Sequence, residues 1–183
     1  MRVVCIEGPH GTGKTTTCRF IESYDYPVLD EMFMNMPKLG LKNQGTFMET
    51  FWLVDWFKNV VEFRQKHPDT KVVVTDRSPW SAVAYAPDSD VLELLIMKMM
   101  RELREIGIII ETVYLKTSPE ILWKRIQDRL LKEPERAKFN EGDRDHMERT
   151  LDFYNGRGWH YTVDNDNDHL SSCRSVLKII KSS

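Results

Sequence analysis

Gly8-Pro9-His10-Gly11-Thr12-Gly13-Lys14-Thr15 fits the pattern G-x-x-x-x-G-K-[ST] at every defined position. Glycines let a backbone turn tightly and bring its N–H groups toward one point, where they bind an anion. A helix that starts at the end of the turn adds unpaired N–H groups and the positive end of its dipole. The chemistry on offer is the holding of a nucleotide's phosphate chain. Gly8, Gly11, Thr12, Gly13, Lys14, Thr15 and Thr16 would form this phosphate loop. Lys14 would reach the outer phosphates of ATP, and the Thr15 hydroxyl would bind Mg²⁺.

Two more charged groups stand where a phosphoryl transferase needs them. Asp30-Glu31 closes a short apolar run, and Asp76-Arg77-Ser78 closes a run of valines. Such an enzyme must hold the acceptor in line, neutralise charge and orient or deprotonate the attacking oxygen. Glu31 is the candidate base. Asp76 would hold Mg²⁺ directly or through water. Arg77 would bridge the acceptor and the transferring group. With Lys14 these are the expected catalytic residues. Ordinary loop acids are the plain alternative for Asp30 and Glu31. A charged pair directly after a valine-rich strand is costly unless it is used or paired.

Arg125 and Arg129 stand four apart and share a helix face. Together with Arg136 they would form a lid, at about residues 125–142, closing over the phosphates. A solvated helix balanced by Asp128, Glu133 and Glu135 is the alternative. Rings are frequent between Phe47 and Trp56, and a flat base stacks on such rings. Phe51, Trp52, Asp55 and Tyr85 are the expected acceptor-binding residues. Trp56 is a further ring candidate, and Gln44, Glu49 and Asp55 could each read a base edge or a sugar hydroxyl; spacing does not choose among them. His10 is expected to point out of the loop and receives no catalytic role.

The elements that must position these groups alternate strand and helix. Strands are expected at Arg2 to Glu7, Pro27 to Asp30, Lys71 to Thr75, within Ile106 to Leu115, and at Trp159 to Asp164. Helices are expected at Gly13 to Ser23, Thr46 to Gln65, Val91 to Arg104, from the capping-box spacing Thr117-Ser118-Pro119-Glu120 to about Leu131, at Asp143 to Asn155, and at His169 to Lys181. Glu31 to Gly45 reads as loop. Continuous apolar strands between helices mean an α/β fold in three layers, a five-stranded parallel sheet covered on both faces. Ligands then bind beyond the strand C-termini, where Lys14, Glu31 and Asp76 should meet.

Composition narrows the classes. The 183 residues suit one domain spanning 1–183. A net charge of −2 provides no global field for nucleic acid, so any anion site is local. Cys5, Cys18 and Cys173 are scattered and odd in number, which fits a reducing, cytoplasmic setting better than a disulfide framework. No signal peptide is expected before the first strand, and no apolar run is long enough to span a membrane.

IEGPHGTGKTTT, from Ile6 to Thr17, resembles the D/E-G-P-H-G-x-G-K-T-T-T loop of herpesvirus-type thymidine kinases and is similar to the E-G-x-x-G-x-G-K-T-T loop of thymidylate kinases. Asp76-Arg77-Ser78 with Ser81 and Ala84-Tyr85 resembles D-R-[YH]-x-x-S-x-x-A-Y of thymidylate kinases, while Ser78 matches the E/D-R-S motif of deoxynucleoside kinases. Glu31 matches the acid ending strand two in deoxynucleoside kinases, where the resemblance implies the general base. Met32 replaces the proline usual after it, and the proline-glycine-glycine of thymidylate kinases is absent. Arg125-Ile126 with Arg129 resembles the R-I-x-x-R start of the lid; Leu131 stands where a later arginine belongs, leaving Lys132 or Arg136 as substitutes. The resemblance runs from about residue 2 to about residue 165. It implies a P-loop NTPase fold with an arginine-bearing lid, ATP and Mg²⁺, and a deoxynucleoside or deoxynucleotide as acceptor. Phosphorylation of a thymidine-type deoxynucleoside in DNA precursor synthesis is the leading expectation. A thymidylate or bifunctional kinase comes second, and a regulatory ATPase third. Many members are homodimers through helix faces, and the Met-rich helix from Val91 to Arg104 is compatible with such a contact or with burial.

Overall fold

A computed structural model describes residues 1–31, 39–41, 44–87 and 89–182. Met32 and most of the expected loop from Glu31 to Gly45 lie outside the described residues. Five strands, β1 (Arg2–Glu7), β2 (Val28–Leu29), β3 (Val72–Asp76), β4 (Ile109–Lys116) and β5 (Tyr161–Asp164), form one sheet in the order β2-β3-β1-β4-β5. Every pairing is parallel. Successive residues of β1 face opposite ways, and each way is apolar. Val3 and Cys5 join a core with Val73, Ile110 and the helices α2 (Thr46–Lys66), α3 (Trp80–Tyr85) and α4 (Ser89–Glu105). Val4 and Ile6 join a second core with Val74, Val113, Leu115 and the helices α1 (Lys14–Glu22) and α7 (His169–Lys181). This is why the strands read as unbroken apolar runs: both faces are covered.

The register brings the chemistry together. Ile6 of β1 lies opposite Asp76, the last residue of β3. The phosphate loop, Asp30-Glu31 and Asp76-Arg77 therefore leave the sheet at the same edge. Two further helices, α5 (Pro119–Leu130) and α6 (Arg144–Gly156), make a small core between them from Leu122, Ile126, Met147 and Leu151. A 3-10 turn over Pro134–Phe139 joins them. The expected lid, about residues 125–142, spans the second half of α5, this turn and the residues up to Gly142.

One expectation, the capping box, needs correction, and one short helix is additional to those expected. The fourth strand starts at Ile109 because Gly107, at φ 78°, closes α4, with its N–H on Arg104 O and that of Ile108 on Leu103 O. The capping box at Thr117 is not made: Ser118 is the cap residue without a side-chain bond, and Thr117 Oγ1 instead faces Asn165 Nδ2. The short helix α3, opened by Pro79, carries no apolar period long enough to read from sequence. Helix α4 buries Leu92, Ile96 and Leu103 and leaves Val91, Leu94 and Met97 exposed, so it is not buried all round. The three cysteines are free and buried. Among the described residues no helix is long and apolar enough to cross a membrane.

Candidate functional site

The loop between β1 and α1 turns through left-handed backbone at Gly11 (φ 82°) and Gly13 (φ 86°). A Cβ on Gly11 would stand 2.9 Å from Ile126 Cγ1 of α5, and one on Gly13 would stand 2.7 Å from His169 Cε1. Only glycine lets the loop pass so close to both neighbours. Lys14 is buried, and its Nζ donates to Gly8 O and Pro9 O, both at 2.8 Å. Burial and the charge of Arg77 bring its ammonium down to about 8, against the pull of Asp76, Glu31 and Glu7. Thr15 Oγ1 donates to Asp76 Oδ2 at 2.6 Å, while Asp76 Oδ1 is buried with no partner among the described residues. Burial raises the Asp76 carboxyl despite Lys14 nearby. An unpaired carboxylate oxygen beside a threonine hydroxyl at the mouth of a phosphate loop is a donor set suited to Mg²⁺.

Two cavities meet at this loop. The first, of about 880 Å³, is lined by Gly11, Gly13, Lys14, Thr15, Thr16 and Arg19, with Arg125, Arg129 and Arg136 across from them. Gly8 and Thr12 shape the loop without lining it, since Thr12 is fully buried and its Oγ1 is spent on Pro9 O at 3.0 Å. The second cavity, of about 430 Å³, is lined by Gln44, Glu49 and Trp52 of the α2 side, Ser81 and Tyr85 of α3, and Glu141. His10, Glu31, Arg77 and Arg136 belong to both walls.

Arg77 and Glu31 pair side by side at this junction, Nε to Oε1. Burial alone would raise the Glu31 carboxyl, but Arg77 and Lys14 outweigh it and hold it below the ordinary range, so it is ionised at neutral pH. Arg77 has a left-handed backbone, φ 76°. Its N–H donates to Ile6 O at 3.0 Å, and its carbonyl accepts from Thr75 Oγ1 at 2.7 Å and Trp56 Nε1 at 3.3 Å. The next residue is anchored by Glu7, at the tip of β1. Its Oε1 accepts from Ser78 N at 2.7 Å and from Ser78 Oγ at 2.5 Å, and its Oε2 accepts from Tyr154 OH at 2.8 Å. Glu7 is fully buried. Sequence reasoning gave it no role, because an acid ending a strand looks like any other until its donors are seen.

The second cavity gathers part of the expected acceptor set. Trp52 and Tyr85 line it; Phe51 and Asp55 do not. Phe51 is exposed, and Asp55 turns to Asn59 Nδ2 at 3.3 Å and Lys58. The face of α2 toward the cavity carries Glu49 and Trp52, three apart, and Phe51 and Asp55 fall beside it. Glu49 is 1% exposed, and among the described residues neither its Oε1 nor Trp52 Nε1 has a partner. Burial pushes the Glu49 carboxyl up to about 8, with Arg77 drawing it down and Glu31 pushing it further up. It is a neutral acid at pH 7, with one donor and one acceptor to offer.

Among the lid arginines, Arg125 Nη2 donates to Asn165 O at 3.0 Å. Arg129 and Arg136 both pair with Glu133 and Glu141. Arg136 lines both cavities and Lys132 lines neither, so of the two substitutes for the missing lid arginine it is Arg136 that reaches the site. His10 corrects an expectation. Its ring is turned inward against Tyr85 rather than outward, because Glu141 and Tyr85 give it partners inside.

A family model described as an AAA domain (AAA_18) matches residues 4–149. No curated protein sequence matches the chain. The solved structure of a deoxyadenosine kinase from M. mycoides, with products dCMP and a flexible dCDP bound, superposes at a TM-score of 0.63 and 14% identity over 100% of both chains. A shikimate kinase from Bacteroides thetaiotaomicron superposes at a TM-score of 0.53 and 18% identity, over 99% of this chain and 98% of that one. Likeness at these identities establishes the fold, which is that of the P-loop kinases.

Proposed function

We propose that this chain, which belongs to the AAA domain family, is an ATP-dependent deoxynucleoside kinase that phosphorylates the 5′-hydroxyl of a thymidine-type deoxynucleoside. The observation that carries the reading is the Glu31–Arg77 pair on the wall shared by the two cavities. One cavity offers a glycine loop, a lysine and lid arginines, the set that suits a triphosphate. The other sets the rings of Trp52 and Tyr85 among polar and charged groups, which offers a face to a base and hydrogen bonds to a base edge and a sugar. An acceptor hydroxyl beside Glu31 would face the end of the phosphate chain. The hydroxyl oxygen forms a bond to the γ-phosphorus, the bond to the β–γ bridging oxygen breaks, ADP leaves with that electron pair, and the hydroxyl proton passes to Glu31. Arg77 steadies the charge on the transferring group. Thr15 and Asp76 would hold Mg²⁺, which supplies charge neutralisation on the phosphates.

Charge balance favours an uncharged acceptor. In the acceptor cavity Arg77 is matched by Glu31, so among the described residues its guanidinium is not left waiting for a phosphate. This supports a nucleoside over a thymidylate or bifunctional activity as the leading reading; a regulatory ATPase comes third. The fold shared with a deoxyadenosine kinase supports a deoxynucleoside. The resemblance of the loop to thymidine kinases supports thymidine. Glu49, as a neutral acid between Trp52 and Gln44, would pair with an N–H/C=O edge such as that of thymine.

The test is transfer of labelled γ-phosphate from ATP to the deoxynucleosides and their monophosphates. A deoxynucleoside should be labelled, and Glu31→Gln should lower kcat on it by about 10²–10⁴-fold, the range for a lost general base. Labelling of monophosphates alone would move the assignment to the second reading. ATP turnover unaffected by any of these acceptors would overturn the kinase assignment.

A further inference from the structure

Asn165 directly follows β5 and is fully buried. Its polar groups find partners in separate parts of the chain. Its backbone N–H donates to Lys116 O at 2.8 Å, at the end of β4, and its carbonyl accepts from Arg125 Nη2 of α5 at 3.0 Å. Its side-chain amide meets Thr12 O of the phosphate loop at 2.6 Å, across 153 residues of sequence. A carbonyl oxygen only accepts, so the amide atom facing it is the nitrogen, Nδ2. Oδ1 is thereby turned to His169 Nδ1 of α7, 3.1 Å away, and accepts the proton on that ring nitrogen.

The peptide bond between Thr12 and Gly13 is planar and trans, so its C=O and N–H point in opposite directions. The Thr12 carbonyl points at Asn165, and the Gly13 N–H therefore points away from it. Gly13 lines the phosphate cavity, and Asn165 is not among the residues of its wall. Gly13 is also where the loop, at φ 86°, hands over to α1. The Thr12 side chain does not hold this peptide from within, because its Oγ1 donates to Pro9 O.

We infer that Asn165 is a positioning residue: by holding the Thr12 carbonyl behind the loop it aims the Gly13 N–H at a nucleotide's phosphates. His169 acts at one remove, keeping Oδ1 turned away from Thr12 so that the amide nitrogen faces the loop. This rests on the phosphate cavity of the proposed function and not on which acceptor is used. A donor fixed in place before the ligand arrives needs no reorganisation when it binds.

The Gly13 N–H can be watched directly. Thr12-Gly13 is the one Thr-Gly step in the chain, so labelling the threonine carbonyl carbon and the glycine nitrogen together isolates its amide signal. A short hydrogen bond to a charged phosphate oxygen moves an amide proton downfield. MgATP should move the Gly13 proton in this way in wild type. Asn165→Asp keeps the size of the side chain and sets an oxygen against Thr12 O; Asn165→Ala removes the amide. In both the ATP-induced shift should fall to less than about half, and calorimetry should show ATP bound about tenfold or more weakly, the effect of one buried hydrogen bond left unmade. A Gly13 shift kept in full by both variants, even with a lower thermal midpoint, would mean that Asn165 only packs, and overturns the inference. So does a wild-type Gly13 signal that MgATP leaves unmoved. Should the Asn165 variants fail to fold, His169→Phe decides, since it keeps a ring beside Gly13 and removes the donor to Oδ1. Its Gly13 shift should shrink and its ATP affinity fall about threefold or more; an unchanged shift overturns the inference. These readings need no acceptor, so absence of phosphoryl transfer would overturn the kinase reading and leave this one in place.

Discussion

Replacing Glu49 with Gln tests whether the acceptor cavity holds a neutral acid. Glu49 is 1% exposed, one carboxyl oxygen has no partner among the described residues, and burial lifts the group from 4.5 to about 8. Below pH 4.5 the carboxyl is protonated in folded and unfolded chains alike and has no influence on stability. As the pH rises above 4.5 the unfolded chain releases the proton and the folded chain keeps it. The folded state then binds one more proton than the unfolded state, so stability falls with pH, by about 1.4 kcal/mol for each pH unit. Over the whole interval to pH 8 this would reach on the order of 5 kcal/mol, and on the order of 2–4 kcal/mol once water shares the cavity with the group. Above about 8 both states are ionised and the loss stops growing. Glu49→Gln has nothing to titrate. Urea unfolding of both proteins at pH 5, 6, 7 and 8 should show similar stability at pH 5 and a growing advantage for the variant toward pH 8. Two curves that run parallel from pH 5 to pH 8 would refute the reasoning, because they would mean that Glu49 ionises in the fold as readily as in water.

Lys14→Ala removes the ammonium now resting on Gly8 O and Pro9 O, and should lower kcat by about 10²–10³-fold, the loss for one preorganised donor; an unchanged turnover number in the same transfer assay would count against the loop. Glu7→Gln turns an amide N–H toward Ser78 N, Ser78 Oγ or Tyr154 OH and should cost about 1–3 kcal/mol of stability, seen as a lower thermal midpoint; a midpoint equal to that of wild type would show that those donors do not depend on the carboxylate.

Much of this architecture could be read from residue order alone, where local chemistry sets local structure. The loop from Gly8 to Thr15 announces itself by spacing. Its strand announces itself by an apolar run covered on both faces, and α7 by its repeating apolar positions, of which Cys173, Val176, Leu177 and Ile180 are buried. The meeting of Glu31 with Arg77 followed from parallel topology, since strand tips gather on one edge. What could not be read depends on long-range partners. Glu7 matters through Ser78 and Tyr154, far along the chain. Glu141 sits in a charge-rich stretch that resembles a solvated surface, yet its side chain is enclosed because Arg129, Arg136 and His10 converge on it. Phe51 and Asp55 were grouped with Trp52 by closeness in sequence, and the turn of the helix separates them.

The left-handed backbone at Arg77 has an evolutionary consequence. A side chain with a Cβ in that conformation costs about 1–2 kcal/mol, which a glycine there would recover. The same replacement would remove the guanidinium between the two compartments. Because that guanidinium also pairs with Glu31, Arg77→Gly would lose more than the backbone strain it relieves, so endurance to heat and turnover both keep arginine at position 77.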